Sequence, residues 1–165
     1  MTHATTDRLW LLPTICDRWS SKIVLVLYHN EGSFDPSTLE EGQCGGGKLK
    51  VISYTKKDGE DDYPVNKLRN EGIANISTTH YLMVDIDFVS SADLNVLVEK
   101  VLADKDDDDL LVIPAFERVD EPCKNLNDCK ERMKDENYAP KEFEKLKDCV
   151  DGGKCRVFQV STRRG

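Results

Sequence analysis

Apolar positions along the 165-residue chain fall into short blocks whose period changes from helical to strand-like and back. Leu12, Ile15, Cys16 and Trp19 recur at i, i+3, i+4 and i+7, one face of a helix laid against a sheet. Pro13 has no N–H to give, so either the helix begins near Leu12 or the segment from Asp7 kinks there. Ile23 to Tyr28 is continuously apolar and rich in β-branched residues, the mark of a parallel strand covered on both faces. From Asn30 to Lys48 the period vanishes into Gly, Ser, Glu and Pro, ending in Gly45-Gly46-Gly47, which predicts a surface loop. Leu49 to Tyr54 is a second strand, stopped by Lys56-Lys57-Asp58-Gly59. Asp62-Tyr63-Pro64 then opens a helix with Val65 and Leu68 inward, ending near Gly72.

His80 to Ile86 reads as a third strand. Ser90-Ser91-Ala92-Asp93 has the form of a capping box and opens a helix with Leu94, Leu97, Val98 and Val101 on its apolar face. The acidic run Asp106 to Asp109 reads as a solvated turn, a weak cation site being the other reading. Leu110 to Phe116 is a fourth strand. Beyond Cys123 the chain is polar, with one or two short helices and a last strand over Cys155 to Val160. Strands alternating with helices predict an α/β domain with a mostly parallel sheet, and the length suits a single domain with a real core.

Charge narrows the partners. A formal net charge of -8, with Lys and Arg scattered as in Arg18, Lys22, Lys67, Arg69 and Arg118, argues against a nucleic-acid partner or an anionic membrane surface. A single nucleotide fits local basic contacts better. No run of roughly 18 apolar residues and no basic-then-apolar leader is present in this sequence. Six cysteines nevertheless suggest export: Cys123/Cys129 and Cys149/Cys155 do not have zinc-knuckle spacing, which favours disulfides of unassigned pairing. Cys16, on an apolar helix face, reads equally as a small buried hydrophobe. Asn75-Ile76-Ser77 has the form of an N-glycosylation acceptor.

The candidate chemistry lies in Asp85-Ile86-Asp87, at the end of the apolar run from His80. Two carboxylates two apart on a strand leave the same face and can jointly hold a hard divalent cation, which in turn binds phosphate oxygens. The plainer reading is a strand that ends in solvent. A haloacid-dehalogenase-type phosphatase also places D-x-D after an apolar strand. There the first Asp sits on the opening strand, whereas two strand–helix units precede Asp85 here.

Four ordered segments decide between these readings: Arg8-Leu9-Trp10-Leu11-Leu12-Pro13 with Ile15-Cys16 and Trp19; Tyr63-Pro64-Val65-Asn66-Lys67-Leu68-Arg69-Asn70; Asp85-Ile86-Asp87-Phe88; and Val112-Ile113-Pro114-Ala115-Phe116-Glu117. In order and spacing they resemble the LARGE-type glycosyltransferases, glycosyltransferase family 49, which includes a β-1,4-glucuronyltransferase. The resemblance implies a GT-A-like (Rossmann-like) nucleotide-sugar-binding sheet with flanking helices. It also implies a Golgi or secretory-pathway lumenal enzyme, anchored in the membrane by a segment this chain does not show. Such an enzyme moves a sugar, glucuronic acid or xylose, from a UDP-sugar donor to a glycan or glycoprotein acceptor with inversion.

Carried over to this numbering, Asp85 and Asp87 match the pair that binds Mn2+ with the donor diphosphate. Arg69 is then a donor-phosphate contact or a holder of the acids, and Asn66, one turn earlier, lines the donor pocket. Glu117, past the fourth strand, is the candidate catalytic or acceptor-side carboxylate. The alternatives for Arg69 and Asn66 are ordinary surface residues.

The resemblance also implies a partial domain, incomplete at both ends: a donor-binding half over 7–120 and a cysteine-containing segment over 121–165. Only the tail of the family's first strand is present in Met1 to Thr5. The family's later histidine ligand and catalytic base lie beyond the position of Phe158-Gln159. A catalytically incomplete fragment or pseudoenzyme that keeps donor and metal binding is therefore the competing expectation.

Overall fold

A computed structural model describes residues 1–158 except 37, 40–43, 61, 106–109 and 136. Strand β1 (Thr2–Thr5) is followed by a 3-10 turn over Thr6–Leu11 and by helix α1 (Leu12–Arg18). Strands β2 (Ile23–His29) and β3 (Leu49–Thr55) complete a parallel sheet of order β1-β2-β3, with Thr2 opposite Leu25 and Leu25 opposite Val51. The fold is mixed α/β, as the alternation of periods predicts.

Strand β2 is central because both its faces are apolar. Ile23, Leu25 and Leu27 join Ala4, Leu11, Leu12, Cys16 and Leu49 in the main core. Val26, on the opposite face, is fully buried, as is Leu68 of α2 (Val65–Ala74), which packs across β1 and β2. Pro13 stands in the first turn of α1, so of the two sequence alternatives the helix begins at Leu12. Ile15 and Trp19 pack on the core beside Cys16, as their spacing predicts.

Two expected strands are not formed. Residues 80–86 run beside Met1, whose nitrogen donates to the Leu82 carbonyl (2.6 Å) and whose carbonyl accepts from the Val84 amide (3.1 Å). These two bonds set Met83 opposite Met1 in parallel register, outside β1. No ladder continues, because the chain turns at Ile86-Asp87, where the Phe88 amide donates to the Asp85 carbonyl at 3.0 Å. Of the expected strand Leu110–Phe116, only Phe116 is paired, in β4 (Phe116–Arg118), which runs antiparallel to β5 (Cys155–Val157). Leu110 and Val112 are 90% and 81% exposed, since no described strand offers them a backbone partner.

The capping box is also replaced. Helix α3 spans Leu94–Leu102 with Asp93 at its N-cap and no side-chain cap bond. The Ala92 amide donates instead to the Lys141 carbonyl, at 2.9 Å. Leu97 and Val101, expected inward, are nearly half exposed, while Asn95 is buried with its Nδ2 donating to Glu99 Oε1 at 2.6 Å.

Helices α4 (Leu126–Arg132) and α5 (Phe143–Asp151) are the short helices expected beyond Cys123. The cysteines pair as Cys16–Cys44, Cys123–Cys129 and Cys149–Cys155, so Cys16 is both buried and bridged. Cys16–Cys44 moors the loop after β2 to α1. In that loop Gly45, Gly46 and Gly47 all take φ between 60° and 71°, a region that a side chain would strain. The acidic run 106–109 and the end of the last expected strand, 159–160, lie outside the described residues.

Arg18, read from sequence as one of the scattered basic residues, is 3% exposed. Its guanidinium donates to the carbonyls of Ser90 (3.3 Å), Pro140 (3.2 Å) and Ala139 (2.7 Å). It therefore ties α1 to the segment after Asp87 and to the C-terminal part of the chain. Beside it, Lys141 pairs with Asp17 at 3.1 Å. Hydrogen bonds from a buried charge are worth about 1.5–3 kcal/mol each, so Arg18→Met is expected to lower the unfolding free energy by about 2–4 kcal/mol in urea denaturation with the disulfides intact. A change within about 0.5 kcal/mol would show that the three carbonyl contacts do not hold the two parts together.

Candidate functional site

Parallel strands deliver their C-terminal ends to one side of the sheet, and the acidic pair arrives on that side next to β1. Ile86 is 5% exposed and belongs to the core, so the acids on either side of it are turned out, each about half exposed. The outward pair expected from a strand is thus achieved by a turn pinned through its middle residue.

Each acid meets a guanidinium. Arg69, on α2, donates to Asp85 Oδ1 at 3.1 Å, and Arg8, on the 3-10 turn, donates to Asp87 Oδ1 at 2.5 Å. Asp7 also lies 3.8 Å from Arg8 Nε, so three carboxylates share two guanidiniums here. His3 of β1 stands on the other side of Asp85, its Nε2 3.4 Å from the same Oδ1. His3 Nδ1 is 2.9 Å from the Tyr63 hydroxyl, and Tyr63 packs edge-on against Tyr28 of β2, which stacks on Tyr54 of β3.

Burial lowers the pKa of His3, opposed by the Asp85 carboxylate and helped by Arg69. Burial, then the negative charge of Asp85, pushes Tyr63 up to about 12, so it remains a hydroxyl donor at neutral pH.

A cleft of about 260 Å³ is lined by Arg69, Met83, Val84, Asp85, Phe88 and Ala115. It brings together three of the sequence segments: the α2 arginine, the acidic turn and the Pro114-Ala115-Phe116-Glu117 run. Phe158 closes the same region, its amide donating to the Ala115 carbonyl (2.8 Å) and its ring meeting Phe88 edge-on at 5.4 Å. Asn66 is exposed on α2 and does not line this cleft. Glu117, two residues beyond Ala115, pairs through Oε1 with Arg156 Nε at 2.6 Å.

Among the described residues no cluster of three or more His, Cys, Asp or Glu could hold a metal ion. What the chain offers is half a site. Oδ2 of Asp85 and of Asp87 accepts no hydrogen bond from the described residues. Two hard carboxylate oxygens suit Mg2+ or Mn2+ if phosphate oxygens and water supply the remaining positions.

Arg8, His3 and Tyr63 are the site residues that sequence reasoning did not place. Arg8 and Tyr63 lie inside the segments that carry the resemblance, but nothing in their spacing says what they touch. The contact between His3 and Asp85 spans 82 positions and exists only once residues 80–86 run beside β1. His80, which reads as structural from its place in the sequence, has Nδ1 3.2 Å from Thr79 Oγ1 and accepts from the Thr78 hydroxyl at its carbonyl.

The sequence profile described as "Glycosyl-transferase for dystroglycan" matches residues 37–162. The chain belongs to that family. It is 30% identical over 138 residues to the glycosyltransferase-like protein gnt14 of Dictyostelium discoideum, a match covering 79% of this chain and 21% of that protein. It is 31% identical over 120 residues to the xylosyl- and glucuronyltransferase LARGE2s of Danio rerio, covering 68% of this chain and 16% of the relative. The human xylosyl- and glucuronyltransferase LARGE1 matches at 31% over 122 residues with the same coverage. The chain thus spans about a fifth or less of the length of these relatives. The matched range spans the α2 arginine, the acidic turn and Glu117. Among the described residues no helix is long and apolar enough to cross a membrane.

A tyrosine whose folded pKa is raised stabilises the fold below the unfolded value near 10, and that contribution is lost as pH climbs through the folded value. Absorbance titration of the folded protein should therefore show a tyrosine ionising near pH 12 that Tyr63→Phe removes. Full ionisation of Tyr63 by about pH 10.5 would contradict the desolvation of its hydroxyl beside His3 and Asp85.

Proposed function

We propose that the chain is the donor-binding part of a metal-dependent, inverting glycosyltransferase with a GT-A, Rossmann-like sheet. Its donor is a UDP-sugar and its acceptor a glycan or glycoprotein, in the Golgi or secretory-pathway lumen. The observation that carries this reading is the outward pair Asp85 and Asp87, set by a buried Ile86 at the C-terminal side of a parallel sheet, in a chain of this family. The order of residues 80–86, β1, β2 and β3 supports it. The chain leaves β1 toward β2 and β3 and returns to the far side of β1, and at such a reversal a crevice opens for ligands. Three disulfides suit an oxidising lumen. The names of the relatives make xylose and glucuronic acid the sugars to test first.

Asp85 and Asp87 would hold a divalent cation, which supplies Lewis-acid stabilisation of the diphosphate as it leaves. Around them Asp7, Asp85 and Asp87 outnumber Arg8 and Arg69, so a dianionic diphosphate gains little from the arginines while the acids hold them. Once the acids are engaged elsewhere, Arg69 and Arg8 are released toward phosphate oxygens, which their planar forks match in pairs. Asn66, exposed one turn before Arg69, is placed on the donor side in this reading. Residues 7–120 form the donor-binding half. Glu117 belongs to the acceptor side, where its carboxylate pairs with Arg156.

Titration calorimetry is expected to show UDP binding with Mn2+ present and none without it, and Asp87→Asn is expected to abolish the Mn2+-dependent signal. UDP binding that is indifferent to metal, or unaffected in Asp87→Asn, would overturn the reading. Glu117→Gln should leave Mn2+–UDP affinity within about twofold while lowering sugar transfer about a hundredfold, the scale of a lost acid–base group. Equal transfer rates would remove Glu117 from the chemistry.

A further inference from the structure

His3 is a buried polar group that the donor-site reading leaves unused. Its side chain is 7% exposed, and its Nε2 makes no hydrogen bond although it faces Asp85 Oδ1 at 3.4 Å. The other ring nitrogen is fixed by Tyr63, 2.9 Å away. These contacts select one tautomer. A lone pair on Nε2 would face a carboxylate oxygen and be repelled, so Nε2 carries the proton and Nδ1 accepts from the Tyr63 hydroxyl. Tyr63 is itself held edge-on by Tyr28, at 5.2 Å between ring centroids, and Tyr28 stacks on Tyr54 at 5.9 Å. A line of rings thus runs from β3 through β2 to Asp85.

We propose that His3, with its tautomer set by Tyr63, is a positioning residue that steers Oδ1 of Asp85 toward the sheet and leaves Oδ2 for the donor's cation. The proposal rests on the donor-binding reading above. The separation of 3.4 Å is wide for a hydrogen bond, and it shortens when a ligand on Oδ2 draws Arg69 off the shared Oδ1. Partners behind a ligating group commonly set metal affinity by about 10–100-fold, because they fix the orientation of the ligand and its electron density.

The test has two readouts. Mn2+ affinity of the UDP-bound protein, measured by electron paramagnetic resonance, is expected to fall about tenfold in His3→Leu and severalfold in Tyr63→Phe. His3→Gln, which can still present an N–H to Asp85, should recover most of the loss. Unchanged Mn2+ affinity in both His3→Leu and Tyr63→Phe would overturn the proposal. If His3→Leu fails to fold, Tyr63→Phe, which removes one oxygen, carries the affinity test alone. The second readout needs no metal: nitrogen NMR of the parent should show His3 as the Nε2–H tautomer, its signals shifting in Asp85→Asn. An Nδ1–H tautomer, or no shift, would overturn the brace. If the parent binds no Mn2+–UDP while the tautomer is as expected, the donor-site reading fails and the contact between His3 and Asp85 stands.

Discussion

The guanidinium of Arg18 sets the condition that the rest of the fold has to meet. A charge that is 3% exposed loses most of its hydration, and the loss is offset only where oxygen dipoles converge on it in place of water. Those dipoles come from Ser90, just past the acidic turn, and from Ala139 and Pro140, about fifty residues later in the chain. Burying Arg18 at the end of α1 therefore obliges two segments with no strand of their own to meet there. The Lys141 carbonyl reinforces the junction by accepting from Ala92, which is also why α3 starts at Leu94 and forgoes its box.

The acidic turn inherits its position from that junction on one side and from the core on the other. Ile86 is inserted among the apolar residues of the main cluster, and the turn closed by the Phe88 amide on the Asp85 carbonyl does the rest, leaving Asp85 and Asp87 outward. Two arginines from different elements then neutralise them. This balance makes the pair tolerable at the edge of an apolar core, and it also makes the site selective. A lone anion meets no net positive field, and a lone cation must compete with guanidinium groups already seated. In the donor-binding reading proposed above, such an arrangement would favour a cation and an anion arriving together, as a metal-chelated diphosphate does.

Much of the sheet was legible in the sequence because burial is a local property of β2. Six successive apolar residues, Ile23 to Tyr28, can only be satisfied between two covered faces, and the helix period of Leu12, Ile15, Cys16 and Trp19 names one cover. Residues 80–86 and 110–115 carry the same apolar character, yet a strand also needs a neighbour whose main chain is free at the right register. Residues 80–86 find only Met1, and Leu110 and Val112 find nothing among the described residues, so hydrophobicity alone overstated the sheet. Arg18 was misread for a related reason. Among scattered basic residues, nothing in its neighbours announces that distant carbonyls will surround it. At the site, the four segments of the resemblance found the acids, Arg69 and Glu117, and could not show that Glu117 is tied to Arg156 or that His3 faces Asp85.

The line of rings from Tyr54 through Tyr28 and Tyr63 to His3 shows how a small sheet can still fix a site on its rim. Each ring is held by the next at 5.2 to 5.9 Å, so the position of Asp85 is referred to β2 and β3, where the core is densest. Arg69 approaches the same oxygen from α2, which packs on the other side of β1 and β2 from the main cluster through Leu68. Asp85 is thus held by two groups from the α2 face of the sheet, since His3 and Tyr28 share that face with Val26. Among the described residues Asp87 pairs with Arg8, whose side chain on the 3-10 turn is about half exposed. The two acids are therefore unequal before any ligand arrives, Asp85 fixed and Asp87 free to follow, and a cation binding between them would order Asp87 more than Asp85.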